Sequence, residues 1–166
     1  MTAPGAVLLH DGQLQGRKAK LPVQIRRQPD EAIHPELEAF YRQLLKETRA
    51  PVYQHGDWHL FSLTEAWQGN TSHEYLLAHG WKHDADYRLI VVNFSDNWAQ
   101  ALVRLDIWPE IGHHDWRLTD AITGEYYYHR GQNLAENGLF IELPPCGVHL
   151  FRVERVMVQS PSYAGD

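Results

Sequence analysis

Cysteine is almost absent from this chain, which has 166 residues and the single thiol of Cys146. One thiol excludes an internal disulfide and any zinc site built from several thiolates. Long hydrophobic runs are also lacking, since no segment approaches the roughly 20 apolar residues of a membrane span. The first residues show no basic region followed by a signal-length apolar run. These absences predict no membrane association and a cytoplasmic location.

An excess of positive charge is lacking as well. The chain has 15 Lys and Arg against 21 Asp and Glu, a formal net charge of −6. Such a chain has no global basic field to attract nucleic acid or an anionic membrane, whereas neutral partners such as sugars are not disfavoured. The 43% hydrophobic and 11% aromatic content excludes a disordered chain. The length suits one domain with a real core.

Motifs for common chemistries are missing too. The chain has no glycine-rich phosphate loop and no serine in a Gly-x-Ser-x-Gly turn. The closest histidine clusters are His113 with His114, and His79 with His83. Neither cluster has a neighbouring carboxylate or cysteine that would complete a plausible metal-ligand set. The sequence therefore predicts no metal and no cofactor.

One segment has the periodicity of an amphipathic helix. Pro35 suits the first helical position, and Pro51 ends the segment, which gives a helix over about residues 34–49. Its apolar residues recur at helical spacing and predict one buried stripe, here called the helix stripe. The helix stripe consists of Leu37, Phe40, Tyr41, Leu44 and Leu45.

After the helix, the pattern changes to short apolar stretches between turn residues. These stretches are residues 58–63, 76–81, 87–94, 99–105, 116–120, 126–128, 139–143 and 148–153. Their spacing predicts a mainly β fold, an antiparallel β-sandwich of about eight strands with one N-terminal amphipathic helix and an extended leader. Residues 89–92 are expected in a central strand covered on both faces. Residues 7–9 have the length of one buried strand.

Six phrases of the sequence, in order, resemble the C-terminal region of alpha-amylase-family glycoside hydrolases. They are residues 4–13, 40–45, 55–58, 89–95, 116–125 and 143–151. The first two are similar to the last strand and the last helix of the (β/α)8 barrel, although Pro4 and Gly5 depart from the usual order. The other four are similar to phrases of the all-β C-terminal domain. The resemblance implies three parts: 1–50 as the end of a barrel, 51–156 as the all-β domain, and 157–166 as a flexible tail.

This resemblance also implies that the chain is not an enzyme, because the family's catalytic carboxylates lie on barrel strands before the eighth. Hydrolysis of a glycoside needs two carboxyl groups held across one bond. The acidic residues here are scattered over helix starts and turns, namely Glu36, Glu38, Asp84, Asp86 and Glu110. We therefore expect a non-catalytic, structural domain, whose partner would be an upstream catalytic barrel.

The six tryptophans offer an alternative, a free-standing carbohydrate-binding module for α-glucans, because sugar rings stack well on exposed indoles. Trp58, Trp81 and Trp116 lie in strand patterns and are expected in the core. Trp67 and Trp98 lie beside turn residues and are the candidates for contact with an α-glucan or oligosaccharide.

The helix stripe raises a separate question, because no barrel is present to cover it. It either folds back onto the sandwich or pairs with the same helix of a second chain. We expect the second arrangement, a homodimer, since a sandwich offers little apolar surface outside its core.

Overall fold

A computed structural model describes residues 1–19 and 29–156 of the chain. Residues 20–28 of the leader and the predicted flexible tail, 157–166, lie outside the described residues. Within the described ranges, the strands are β1 (Asp57–Leu60), β2 (Leu63–Thr64), β3 (Leu76–His83), β4 (Asp86–Asn93), β5 (Ala99–Val103), β6 (Trp116–Asp120), β7 (Tyr126–His129), β8 (Leu139–Leu143) and β9 (Val148–Arg155). The α-helices are α1 (Pro35–Glu47), α2 (Val52–His55) and α3 (Gly131–Asn137).

The strands form two antiparallel sheets, which confirms the predicted sandwich. The larger sheet has six strands in the order β1-β3-β4-β9-β6-β7, and the smaller has three in the order β2-β5-β8. Among the described residues, no helix has the length and hydrophobicity that a membrane span requires.

The main core lies between the two sheets. Leu89 and Val91 of β4 belong to the same buried cluster as Ala101 of β5 and Ile141 of β8. Tyr87 contacts both Trp108 and Trp116 edge to face, with ring centroids 5.1 and 5.4 Å apart. Burial of each large side chain of this kind stabilises the fold by roughly 1.5–3 kcal/mol.

A second, smaller core lies on the opposite face of the six-stranded sheet. It contains Val52 of α2, Trp81 of β3, Ile90 of β4 and Leu150 of β9. Strand β4 is therefore covered on both faces, as its continuous apolar run predicts.

The predicted strand at residues 58–63 is in fact two strands in different sheets. The amide of Phe61 still donates to Ala78 of β3, whereas the carbonyl of Ser62 accepts from Arg104, just after β5. The chain thus passes from one sheet to the other at this point. Each half satisfies backbone hydrogen bonds of a different sheet, so residues 1–19 and 29–156 contain nine strands instead of about eight.

The prediction of a buried strand at residues 7–9 is wrong. Val7 and Leu8 are 52% and 89% exposed, and residues 7–9 pair with no strand in the part of the chain that the structure describes. Pro4 cannot donate a backbone hydrogen bond, Gly5 has a φ of 114°, and a run of turns begins at Asp11. The stretch between these features, residues 6–10, is as long as β6 but meets no sheet edge among the described residues.

Helix α1 begins at Pro35 as predicted, but the helix stripe is only partly buried. Leu44 packs against the second core. Tyr41 accepts a hydrogen bond from Gln13 of the leader, 3.1 Å from the amide nitrogen. Glu47 is the buried residue of this helix. The helix therefore contacts its own sandwich through its last turns.

Candidate functional site

The face of the six-stranded sheet that points away from the smaller sheet is the main candidate for a functional surface. We call it the outer face. Paired residues of neighbouring strands lie on the same side of a sheet, so the strand register shows which side chains belong to it. On β1, β3, β4 and β9 its apolar members are Trp58, Leu60, Leu77, Trp81, Ile90, Val92, Val148 and Leu150.

Three N-terminal segments, the leader, α1 and α2, cover part of the outer face. Helix α2 places Val52 and Tyr53 over Trp81, and the Tyr53 and Trp81 ring centroids are 6.1 Å apart. The leader crosses the same region, where the carbonyl of Thr2 accepts a 2.6 Å hydrogen bond from Trp81 Nε1. His79 also hydrogen-bonds to Thr2, at 3.2 Å. Burial lowers the pKa of His79 below its ordinary value.

The last residue of α1, Glu47, attaches the helix to the sheet. Its Oε1 accepts a 2.7 Å hydrogen bond from Arg88 Nε, and its Oε2 accepts a 2.9 Å bond from Arg152 Nε. Burial alone would raise the pKa of Glu47, but the hydrogen bonds and charges of Arg152 and Arg88 outweigh burial, so its pKa is lowered. Gln43, one turn earlier, donates to the carbonyl of Ile122 at 2.9 Å.

This buried cluster of charges was not predicted from the sequence. A glutamate on a helix normally lies in water, and Glu47 shows no motif. One signal was present: a negative charge at the C-terminal end of a helix is unfavourable unless a cation compensates it. The compensating arginines lie 41 and 105 residues away in the chain, so no local pattern could identify them.

Other parts of the outer face remain uncovered. Leu60 and Leu77 are 53% and 39% exposed. Within the described residues, four buried polar atoms on or beside this face have no hydrogen-bond partner: Tyr53 Oη, Trp58 Nε1, His79 Nδ1 and Thr119 Oγ1. Burying such atoms unpaired costs about 1–3 kcal/mol each. The outer face thus combines exposed apolar side chains with polar atoms that lack partners.

The two candidate sugar-binding tryptophans are exposed, as their turn residues predict. Trp67 is 55% exposed and Trp98 is 61% exposed. Asn70, whose amide donates to the Trp67 carbonyl, also donates from its side chain to Gln100 of β5. Both tryptophans therefore lie near the start of β5, although no ring contact between them is found in the part of the chain that the structure describes. Trp81 and Trp116 are buried, and Trp58 is partly buried.

Three of the acidic residues weighed as catalytic candidates occupy separate ion pairs. Glu38 pairs with Arg42 on α1, Asp86 pairs with Arg88, and Glu110 pairs with Lys82. The hydrogen bond from Lys82 lowers the pKa of Glu110. Among the described residues, no group of three His, Cys, Asp or Glu side chains is placed to hold a metal ion.

Asp120 is fully buried at the end of β6. Its carboxylate accepts hydrogen bonds from the amide of Ile122, at 2.8 Å, and from His149 Nδ1, at 2.6 Å. These bonds shape the turn that connects β6 to β7, so Asp120 is explained as a structural residue.

Comparison with known proteins shows which known fold this chain has. No family model matches the sequence, and no curated protein sequence matches it. Among solved structures, an alpha-amylase from Geobacillus thermoleovorans, crystallised with acarbose, superposes on 94% of this chain with a TM-score of 0.68 and 14% identity. The chain has the fold of part of an alpha-amylase. The resemblance of the sequence to that family is thereby confirmed at the level of the fold.

Two further alpha-amylases share the fold. A maltogenic alpha-amylase, AmyB, from Thermotoga neapolitana matches 94% of this chain with a TM-score of 0.66 and 15% identity. An Anoxybacillus alpha-amylase matches 89% with a TM-score of 0.60 and 13% identity. In these three structures, the matched part is 31%, 34% and 28% of the amylase chain. The chain therefore spans about a third of the length of the alpha-amylases that it resembles.

Proposed function

We propose that this chain is the non-catalytic C-terminal β-sandwich domain of an alpha-amylase-like glycoside hydrolase, with a structural role against a catalytic barrel. The observation that carries the proposal is the outer face, which is apolar, partly uncovered and bordered by buried polar atoms without partners. A large packed partner would remove the exposure of the apolar side chains, because it would bury them against its own surface.

The attachment of α1 supports the same assignment. In the resembled enzymes this helix would belong to the barrel, and here Glu47 ties its last turn to Arg88 and Arg152 of the sheet. A buried ion pair is weak evidence for stability, but it can fix the relative geometry of the elements that it joins. The pair thus suits a junction that must hold a barrel and a β domain in one orientation.

Absence of catalysis is the second part of the proposal. Three of the five acidic residues considered, Glu38, Asp86 and Glu110, are held in separate ion pairs, and the fold match covers about a third of an amylase. The purified chain should therefore release no reducing sugar from starch, maltooligosaccharides, sucrose or trehalose above a buffer control. Release that a single acidic substitution abolishes would contradict the proposal.

The partner is tested with the DNA immediately upstream of the Met1 codon. We expect it to encode a barrel, either in the same frame or as a separate polypeptide. As a separate polypeptide, co-expressed with this chain, the barrel should co-purify with the wild-type protein but not with Leu60→Glu/Leu77→Glu. Phe140→Glu is the matched control, since Phe140 is 51% exposed on β8 of the smaller sheet. Equal recovery with the double variant would exclude the outer face as the interface.

A second candidate function is carbohydrate binding through Trp67 and Trp98. Its supporting observation is that both indoles are more than half exposed and lie near the start of β5. Electrophoresis through a gel containing starch tests it. The wild-type chain should be retarded, and Trp67→Ala/Trp98→Ala should migrate as in a gel without starch. Unchanged retardation of this variant would remove both residues as the binding site.

A further inference from the structure

Strand β7, at the edge of the six-stranded sheet, presents two tyrosines to solvent. Tyr126 and Tyr128 are 61% and 64% exposed and lie on one face of the strand, opposite Thr119 and Arg117 of β6. Thr119 also pairs with Arg152 of β9, so the two tyrosines lie on the outer face, at the edge opposite to β1 and its exposed Leu60. Tyr127 points the other way, where its ring contacts Phe151. Exposed tyrosines of this kind combine an apolar ring with a polar tip, which is the composition of a surface that binds amphipathic ligands.

The two exposed rings form a corner. Their centroids are 5.7 Å apart and their planes meet at 77°, so a ligand in the corner could stack on one ring while touching the edge of the other. Tyr128 also lines two adjoining clefts. One, of about 390 Å³, lies between β7 and α3, and the other, of about 260 Å³, lies beside Arg117 and Arg155. We call these clefts together the tyrosine groove.

Polar side chains of α3 face the larger cleft of the tyrosine groove. Gln132 donates from its side-chain nitrogen to Glu136, which leaves its Oε1 as an acceptor. Asn133 accepts from Asn137 through Oδ1, which leaves its Nδ2 as a donor. The wall of the groove thus offers both kinds of hydrogen-bonding atom within reach of an aromatic ring.

Most charges of the groove are balanced: Arg117, Arg130 and Arg155 stand against Glu136 and Glu154, and Arg155 lies over the Trp116 ring, 5.7 Å from its centroid. Arg117 is paired with Glu154 at 2.6 Å, and the acidic Glu136 lies in the same cleft as the basic Arg130. Burial lowers the pKa of His129, so that imidazole is neutral near pH 7 and offers one donor and one acceptor. A neutral molecule with apolar faces and many hydroxyl groups fits this environment better than a phosphate or a carboxylate does.

We propose that the tyrosine groove binds a neutral oligosaccharide, with a sugar ring stacked on Tyr128 and hydroxyl groups bonded to Gln132 and Asn133. This site is separate from Trp67 and Trp98. The use of an α-glucan as the first probe rests on the proposed function of the chain as an amylase-like domain. The groove itself indicates the class of neutral sugars, so a β-glucan serves as the second probe.

Calorimetric titration of the full chain with maltoheptaose and with cellohexaose tests the proposal. We expect the wild-type chain to bind at least one of them. Tyr126→Ala/Tyr128→Ala should weaken that binding about tenfold or more, because the stacking surface is removed. Tyr128→Phe keeps the ring and should bind nearly as the wild type does. Equal melting temperatures of the wild type and the tyrosine variants would show that these exposed substitutions leave the fold intact.

Two controls separate this site from the other proposals. Tyr75→Ala removes a tyrosine of similar exposure, 52%, before β3, and should leave sugar binding unchanged. Trp67→Ala/Trp98→Ala should also leave the affinity of the tyrosine groove unchanged. Wild-type affinity in Tyr126→Ala/Tyr128→Ala, or no binding of either sugar by the wild-type chain, would overturn the proposal. Neither result would bear on barrel association, which is measured by co-purification.

Discussion

Replacement of Glu47 by alanine tests how α1 is attached to the sheet. Removing one partner of a buried ion pair costs about 3–5 kcal/mol, because the charge that remains stays desolvated. Two features reduce that figure here. Arg88 keeps its ion pair with Asp86, and the side chain of Arg152 is 44% exposed, so water can solvate it. We therefore expect Glu47→Ala to lower the free energy of unfolding by about 2–3 kcal/mol.

Glu38→Ala is the matched control on the same helix. Glu38 pairs with Arg42 at 2.6 Å, but the arginine side chain is 73% exposed. An exposed pair one helical turn apart contributes only about 0.3–0.5 kcal/mol. For a domain of this size, the melting temperature should fall by about 4–12 °C in Glu47→Ala and by about 2 °C or less in the control. Circular dichroism measures both. Equal effects of the two substitutions on the melting temperature would refute the attachment of α1 to the sheet through the buried Glu47.

The same residue predicts a dependence on pH. The folded protein holds the pKa of Glu47 below its ordinary value of 4.5, so its stabilisation is fully present above that value. The stabilisation is lost as the pH falls through the lower pKa of the folded state, because the protonated carboxyl no longer attracts the arginines. The stability difference between the wild type and Glu47→Gln should be constant from about pH 6 to 8 and shrink below about pH 4.5. A difference that grows on acidification would contradict this reasoning.

Three further predictions concern the core, a turn and self-association. Val91→Asp places an unpaired charge at a position of 0% exposure and should cost more than about 4 kcal/mol of unfolding free energy. The control Val91→Ala should stay folded. A Val91→Asp protein that melts cooperatively would contradict the placement of β4. Asp120→Ala should lower the free energy of unfolding in urea by about 2–4 kcal/mol, because backbone amides and His149 lose their acceptor. A decrease below about 1 kcal/mol would refute this role of Asp120. Without a barrel, the partly exposed helix stripe should pair two chains, and sedimentation should show a dimer that Leu37→Glu/Phe40→Glu converts to monomer. A wild-type monomer at high concentration would mean that α1 docks only on its own sandwich.

The local sequence pattern was sufficient to predict those elements whose bounds depend on residues close by in the chain. The predicted bounds of β6 and β8 coincide with those of the structure, Trp116–Asp120 and Leu139–Leu143. Helix α1 begins at Pro35, the residue whose fixed φ suits a first turn. The exposure of Trp67 and Trp98 also followed from adjoining turn residues. In all these cases the deciding interactions act within a few residues.

Local pattern failed for short elements that tertiary contacts hold in place. Helix α3 has seven residues, of which Leu134 is the large apolar side chain that it buries, so no periodicity was visible. Residues 7–9 look like a strand by composition, but a strand also needs a partner edge, and none of the described strands pairs with them. A strand ladder is a property of two segments, which a single run of residues does not specify.

The sequence by itself determined the class of the fold, since the periods of its apolar residues separate one amphipathic helix from a series of short strands. It also carried the phrases that resemble the end of an alpha-amylase. Only the tertiary structure decided which strands share a sheet, where the chain passes between sheets at Phe61 and Ser62, and which face stays uncovered. It alone joined Glu47 to Arg152, because a contact between residues 105 positions apart depends on the path of the whole chain.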